Sequence, residues 1–257
     1  MTNKILALKY RPQEFKDLIG QEVMAQTITN SIRLGKTPNA YLLTGIRGVG
    51  KTTTARLIAK ALNCEKNISE KNNCTKINSC ESCREITNSR HIDVLEMDAA
   101  SKTGIDDIRD LIENSKYSPT SAKFKIFIID EVHMLSKSAF NALLKTLEEP
   151  PDHVKFIFAT TEVKKIPVTV LSRCQRFDLL RIENKILTDH LLNVVKQEKI
   201  DIDKDAISLI VRAADGSIRD GLSLLDQAIT NQNIKINSKV VSDMLGLAER
   251  EKIFYLL

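Results

Sequence analysis

Eight residues, Gly45–Thr52 (GIRGVGKT), restrict what this chain can fold into more than any other part of it. They match G-x-x-x-x-G-K-T and fall between an apolar run, AYLLTG (40–45), and a stretch of helical periodicity, KTTTARLIAKALNC (51–64). That context predicts a buried strand, a glycine-rich turn and a helix, the setting in which the motif cradles phosphate. The backbone N–H groups of Gly45, Ile46, Arg47, Gly48, Val49 and Gly50 are expected to curl around phosphate oxygens. The start of the following helix adds its partial positive charge. Lys51 would reach the β- and γ-phosphates of ATP, and the Thr52 hydroxyl, with Thr53 beside it, would bind Mg²⁺.

The remainder of the first two-thirds alternates in the same manner. IDVLEMD (92–98), KIFIID (125–130), VKFIFATT (154–161) and the shorter QRFDLL (175–180) read as strands. KIFIID is continuously apolar, the pattern of a strand covered on both faces of a parallel sheet. GIDDIRDLIENS (104–115) and SKSAFNALLKTLEE (136–149) have helical periodicity, and Pro150-Pro151 stops the second. The fold class expected is α/β, a parallel sheet with helices on both faces. Near residue 182 the character changes to helices alone: ENKILTDHLLNVVKQEK, DKDAISLIVRAA and SIRDGLSLLDQAITNQ, with Asp203 and Ser217 placed as N-caps. The expected domains are 1–180 for the nucleotide-binding sheet, 181–242 for a small all-helical lid, and 243–257 for the start of a further helical domain.

Asp130-Glu131 closes the strand KIFIID. Asp130 fits the role of holding magnesium and Glu131 that of activating an attacking water. Thr160 and Thr161 end the neighbouring strand, where a hydroxyl would sense the γ-phosphate. The tetrapeptide DEVH (130–133) also matches a helicase box. A second motor domain would be needed for that reading, and the chain is too short and too helical after residue 182.

Cys64, Cys74, Cys80 and Cys83 form C-x9-C-x5-C-x2-C between the first helix and the next strand. Four thiolates so close suit a tetrahedral Zn²⁺, and a full set of four points to a structural site rather than a catalytic one. The intervening residues are too polar to fold alone, so a metal would supply the missing stability. The zinc module expected is 64–83. The fifth cysteine, Cys174, lies outside it.

Bulk properties narrow the remaining classes. Hydrophobic residues make up 42% and charged residues 28%, a balance that builds a core. Aromatics are 5% and tryptophan is absent, which argues against base-stacking platforms. The net charge of +5 is compatible with phosphate contacts without requiring them. No apolar run approaches the ~20 residues of a membrane span, and the start lacks a signal peptide's pattern, so a cytoplasmic location is expected.

Several further segments resemble the tau/gamma family of bacterial AAA+ clamp loaders, belonging to the DNA polymerase III holoenzyme. These are LKYRPQEFKDLIGQE (8–22), NALLKTLEEPP (141–151), FATTEVKKIPVTVLSRCQRF (158–177) and GSIRDGLSLLDQAI (216–229). The resemblance covers nearly the whole chain and implies an AAA+ ATPase that loads a ring-shaped sliding clamp onto primed-template DNA, within a hetero-pentamer of loader subunits. It implies that Tyr10, Arg11 and Pro12 line the nucleotide pocket and that Thr161 is the first sensor. Arg219 would be the second sensor, and Arg173 of the SRC triplet (172–174) an arginine finger for the adjacent subunit's site. Lys102, Arg109 and Lys145 would face DNA backbone. The family carries a zinc module at this place, although the middle spacer here is longer than the family's pattern. Residues 243–257 would open the collar domain, where the chain ends. The polymerase active site itself would belong to another subunit. Two other readings are an AAA+ branch-migration motor, which the cysteine insertion and SRC triplet oppose, and a zinc-stabilised subunit that binds nucleotide without hydrolysing it. Intact Lys51, Asp130, Glu131 and Arg219 oppose the latter.

Overall fold

A computed structural model describes residues 5–66, 74, 79–102, 104–230 and 236–246. Contacts divide the chain into two units. One comprises Pro12–Ile46 and Gly50–Leu180; the other comprises the described parts of Met1–Arg11, Arg47–Val49 and Arg181–Leu257.

In the first unit α2 (Glu22–Arg33) precedes β1 (Ala40–Thr44), followed by α3 (Lys51–Asn63), α4 (Glu81–Thr87), β2 (Val94–Asp98) and α5 (Ile105–Ser115). Then come β3 (Lys125–Asp130), α6 (Lys137–Glu148), β4 (Val154–Thr160), α7 (Val168–Leu171) and β5 (Gln175–Asp178). The five strands form one sheet in the order β2-β3-β4-β1-β5, every pair parallel. Parallel neighbours require crossovers, which the intervening helices supply. The three central strands are buried along almost their whole length, as their unbroken apolar sequences dictate, whereas the edge strands β2 and β5 stay partly exposed.

One face of the sheet presents Leu42, Phe127, Ile129, Phe156 and Phe158 to Ile108 and Leu111 of α5 and to Phe140, Leu143 and Leu147 of α6. Phe156 stacks on both Phe127 and Phe158, with ring centroids 5.5 and 5.8 Å apart. The intervening residues Leu43, Ile128 and Ile157 are equally buried on the other face, over which α3 packs. The register aligns Thr44 with Thr160 and Asp98 with Asp130, so β1, β3 and β4 finish at one edge. The crevice beyond the carboxyl ends of such strands is where open α/β sheets bind ligands.

A buried carboxylate fastens the opposite edge. Asp93, 1% exposed and just before β2, accepts from the backbone N–H groups of Thr120 and Ser121 at 2.8 Å and of Ala122 at 3.0 Å. Burial acts to raise its pKa, but these donors outweigh it and hold the carboxyl below the usual aspartate range. Asp93→Asn is expected to cost about 1–3 kcal/mol in urea unfolding at neutral pH. Because the folded pKa is depressed, this contribution is complete above the unfolded value of ~3.9 and fades as pH falls through the lower folded value. The gap between the two proteins should therefore close in acid.

The second unit contains α1 (Leu6–Lys9), α8 (Asn184–Glu198), α9 (Lys204–Ala214), α10 (Ile218–Thr230) and α11 (Ser238–Met244). Leu187, Leu191, Ile207, Ile210, Leu222 and Leu225 form its buried interior. The Ser217 hydroxyl accepts from the Asp220 N–H at 3.1 Å, capping α10. Residues after 182 are not helical alone, since Ile202 and Ile236 form an isolated parallel bridge. Of the expected collar start at 243–257, residues 247–257 lie outside the described residues.

Candidate functional site

β1 delivers the chain into a loop whose Gly45, Gly48 and Gly50 have φ of 146°, 78° and 108°, angles that side-chain-bearing residues rarely adopt. Gly50 is the N-cap of α3, so the first helical N–H groups face into the loop. Lys51 is 6% exposed, and its ammonium donates to the carbonyls of Gly45 at 3.1 Å and Ile46 at 3.0 Å. Thr53 follows on the same helix, half-buried. The loop thus brackets a lysine charge with backbone at its rim, an arrangement that fits a polyphosphate.

Across from the loop, the Thr52 hydroxyl lies 2.5 Å from Asp130 Oδ2, while Asp130 Oδ1 accepts from the Glu131 N–H at 2.9 Å. A hydroxyl and a carboxylate in contact are the hard oxygen donors that magnesium takes. Glu131 has φ 46° and ψ 44°, a left-handed conformation that is strained for a glutamate. Its Oε2 accepts from the Thr161 N–H at 3.2 Å and the Thr161 hydroxyl at 3.0 Å. Of the two threonines singled out in sequence, Thr161 touches the glutamate. Thr160 is fully buried, and its hydroxyl accepts from the Glu162 N–H at 3.0 Å.

Sequence reasoning missed His133, reading it only as part of a helicase-like box. Its side chain is 6% exposed, with Nδ1 3.0 Å from the Thr160 hydroxyl and 3.4 Å from Glu131 Oε2. It wedges the ends of β3 and β4. A histidine three residues beyond the strand-end aspartate is the sequence signal that would have found it.

Arg173 also belongs to the sheet unit. Its guanidinium donates to Thr169 O and to Glu148 Oε1, each at 2.5 Å, and its side chain is 31% exposed. Cys174 beside it is half-buried, and burial pushes its thiol up to about 12. Tyr10, Arg11, Arg47, Gly48, Val49 and Arg219 fall in the helical unit, and Pro12 in the sheet unit. Within the helical unit the Arg219 N–H donates to Gly48 O at 3.3 Å, and a Cβ on Gly48 would meet the Ser217 hydroxyl at 2.0 Å. The Tyr10 hydroxyl donates to Glu198, which also pairs with Lys9 at 2.7 Å. Burial, followed by the Glu198 bond, raises the Tyr10 pKa to about 12.

The sulfur atoms of Cys64, Cys74, Cys80 and Cys83 lie within 4.8 Å of one another. A tetrahedron with ~2.3 Å bonds sets sulfurs about 3.8 Å apart, so the cluster fits one zinc ion with small adjustments. Burial pushes the Cys64 thiol up to about 11 and raises Cys83 as well. For Cys80 burial is outweighed by backbone donors, chiefly the Cys83 N–H, and its pKa is lowered. Most of the polar spacers of the cluster (67–73 and 75–78) lie outside the described residues. Lys102 after β2, Arg109 on α5 and Lys145 in the last turn of α6 are all exposed, and Arg109 pairs with Asp106 at 3.0 Å.

Comparison with known proteins matches residues 20–183 to a family described as DNA polymerase III, delta subunit. Residues 186–233 match the DNA polymerase III clamp loader subunit, ATPase lid domain. The chain is 47% identical to DNA polymerase III subunit tau of Escherichia coli (strain K12) over all 257 residues, spanning 39% of that protein's length. It is equally identical to subunit gamma of Buchnera aphidicola subsp. Acyrthosiphon pisum, covering 70% of it, and to subunit tau of Bacillus subtilis (strain 168) over 230 residues, 90% of this chain and 40% of that one. Among solved structures, the Thermotoga maritima RuvB Holliday junction branch migration motor superposes with a TM-score of 0.66 at 18% identity, over 93% of this chain and 72% of that one, a likeness of fold alone. No described helix is long and apolar enough to cross a membrane. With an AAA+ fold, a lid that matches separately, and near-half identity along its full length to proteins so named, the chain belongs to the DNA polymerase III tau/gamma family of clamp-loader subunits.

Proposed function

We propose that this chain binds and hydrolyses ATP to help load a sliding clamp onto primed-template DNA, as one subunit of a hetero-pentameric loader in the cytoplasm. One observation carries the reading: Thr52, Asp130, Glu131 and Thr161 form a continuous chain of contacts at the ends of β1, β3 and β4, beside the phosphate loop. Lys51 binds the β- and γ-phosphates, and Thr52 with Asp130 holds the magnesium. The ion held there would supply positive charge to offset the negative charge that develops on the phosphates. Glu131 orients a water and takes its proton, and Thr161 fixes the carboxylate that does so.

Arg219 acts as the second sensor toward the phosphates of its own subunit, and Tyr10, Arg11 and Pro12 frame the base. Arg173 acts on the neighbouring subunit's nucleotide, so turnover depends on assembly. Cys64, Cys74, Cys80 and Cys83 hold a structural zinc. Lys102, Arg109 and Lys145 contact DNA phosphates, giving sequence-independent and salt-sensitive binding. Residues 1–180 form the ATPase domain, 181–242 the lid, and 243–257 lead into the collar.

The test is ATP turnover by the full-length protein, alone and then assembled with its partner subunits, sliding clamp and primed DNA. Turnover should rise on adding clamp and DNA, and Lys51→Ala should weaken ATP binding by at least ~100-fold, the loss of a charge-assisted contact worth about 3 kcal/mol. An assembled complex indifferent to both clamp and DNA would remove the loader reading while leaving the ATPase one intact.

A further inference from the structure

Behind the cysteine cluster lies a chain of buried polar groups that nucleotide chemistry does not use. Asn63, Ser82, His91 and Asp93 are 4%, 6%, 5% and 1% exposed. The Ser82 hydroxyl lies 3.1 Å from His91 Nε2 and 3.1 Å from Asn63 O. His91 Nδ1 accepts from the Asp93 N–H at 3.0 Å.

These partners leave one arrangement of protons. With Nδ1 occupied as an acceptor, the neutral ring carries its hydrogen on Nε2 and donates it to Ser82 Oγ. The Ser82 hydrogen is then directed to Asn63 O. A serine beside a histidine invites comparison with a nucleophile and its base, but this tautomer presents N–H to the serine and has no lone pair to remove its proton. The pair is a strut.

What the strut holds is set by the sequence. Ser82 stands between Cys80 and Cys83, and Asn63 immediately precedes Cys64. The Asn63 side chain is fixed in turn, donating to Phe124 O at 2.8 Å and accepting from the Phe124 N–H at 2.9 Å, just before β3. Through Asp93 the relay continues to residues 120–122. Two of the four cysteines, Cys64 and Cys83, therefore adjoin a residue tied to the edge where β2 and β3 begin, and Cys80 lies two positions from Ser82.

We propose that Ser82 and His91 are positioning residues for the metal: with Asn63 they pre-place Cys64, Cys80 and Cys83, so that a zinc ion is bound by a half-built cage rather than by a free loop. The inference rests on the zinc reading above. Hydrogen-bonded groups behind metal ligands typically change metal affinity about 10–100-fold when removed. Losing the strut should act chiefly on zinc release, because a ligand that swings away opens the site.

The experiment follows zinc dissociation from the full-length protein with a chromogenic chelator, alongside the thiolate charge-transfer band of the cobalt-substituted protein. Ser82→Ala and His91→Phe are expected to accelerate release about 10–100-fold and to broaden or shift the cobalt band. His91→Gln, whose amide N–H can reach Ser82, should recover part of the loss. Leu225→Ala in the helical unit serves as a control that lowers thermal stability without touching the relay. Release rates unchanged in both Ser82→Ala and His91→Phe would overturn the proposal, as would equal acceleration by Leu225→Ala. A wild-type protein carrying no stoichiometric zinc would instead remove the zinc reading on which it stands.

Discussion

Glu131→Gln in the assembled complex is expected to lower ATP turnover about 10²–10⁴-fold, or roughly 3–5 kcal/mol in the barrier, while nucleotide affinity stays within a few-fold. The substitution is nearly isosteric. Its amide oxygen can still accept from the Thr161 N–H and hydroxyl, which hold Glu131 at 3.2 and 3.0 Å, so the local geometry survives. What disappears is the ability to take a proton from water. Steady-state phosphate release together with binding of a fluorescent nucleotide separates the two effects. Unchanged turnover would show that Glu131 is not the base, and weakened binding at equal turnover would assign it to holding nucleotide.

Arg173→Ala is expected to reduce turnover of the assembled complex by about 10³–10⁵, the range of an arginine supplied to a neighbour's phosphates. The isolated chain should bind ATP as before. Here the guanidinium is engaged by Glu148 and Thr169 O. The ion pair is substantially exposed, at 31% and 50% for the two side chains. Such a pair stabilises a fold by about 0–1 kcal/mol, so it is easily exchanged for a phosphate and its loss barely affects folding. Arg173→Lys should rescue little, because a point charge does not reproduce the planar fork. A complex in which Arg173→Ala hydrolyses ATP at the wild-type rate would remove the trans contact from the proposed mechanism.

The sheet could be read from the chain because its central strands are buried on both faces and tolerate few polar residues. KIFIID occupies Lys125–Asp130 as expected, and the Pro150-Pro151 stop begins two positions after Glu148, the last residue of α6. The loop was legible because the positive φ angles at Gly45, Gly48 and Gly50 demand glycine, and Lys51 and Thr52 follow at a fixed spacing. The elements that escaped notice include the twelve-residue α2, whose apolar face of Met24, Ala25 and Ile28 was there to be read, and two short helices with little periodicity. α4 has only seven residues, ESCREIT, too few and too polar to reveal a face, and α1 has four. His133 and His91 escaped because their roles are set by folded partners, Thr160 on the neighbouring strand for His133 and Ser82 on α4 for His91. Asn63 is the clearest case, because its side chain pairs with the backbone of Phe124, 61 positions away.

α3 begins at Lys51 and Thr52 and ends at Asn63, next to Cys64. One thirteen-residue helix therefore has both ends committed, the first to the phosphate loop and the last to the cysteine cage. A helix turns about 100° per residue, so inserting or deleting a single position within it would rotate one end by that angle relative to the other. The partly exposed positions of α3 are engaged too, Arg56 with Glu96 and Lys60 with Gln13 O, so neither its outer face nor its length is free to drift. Any relative that keeps both termini in use must change it by whole turns or leave it alone.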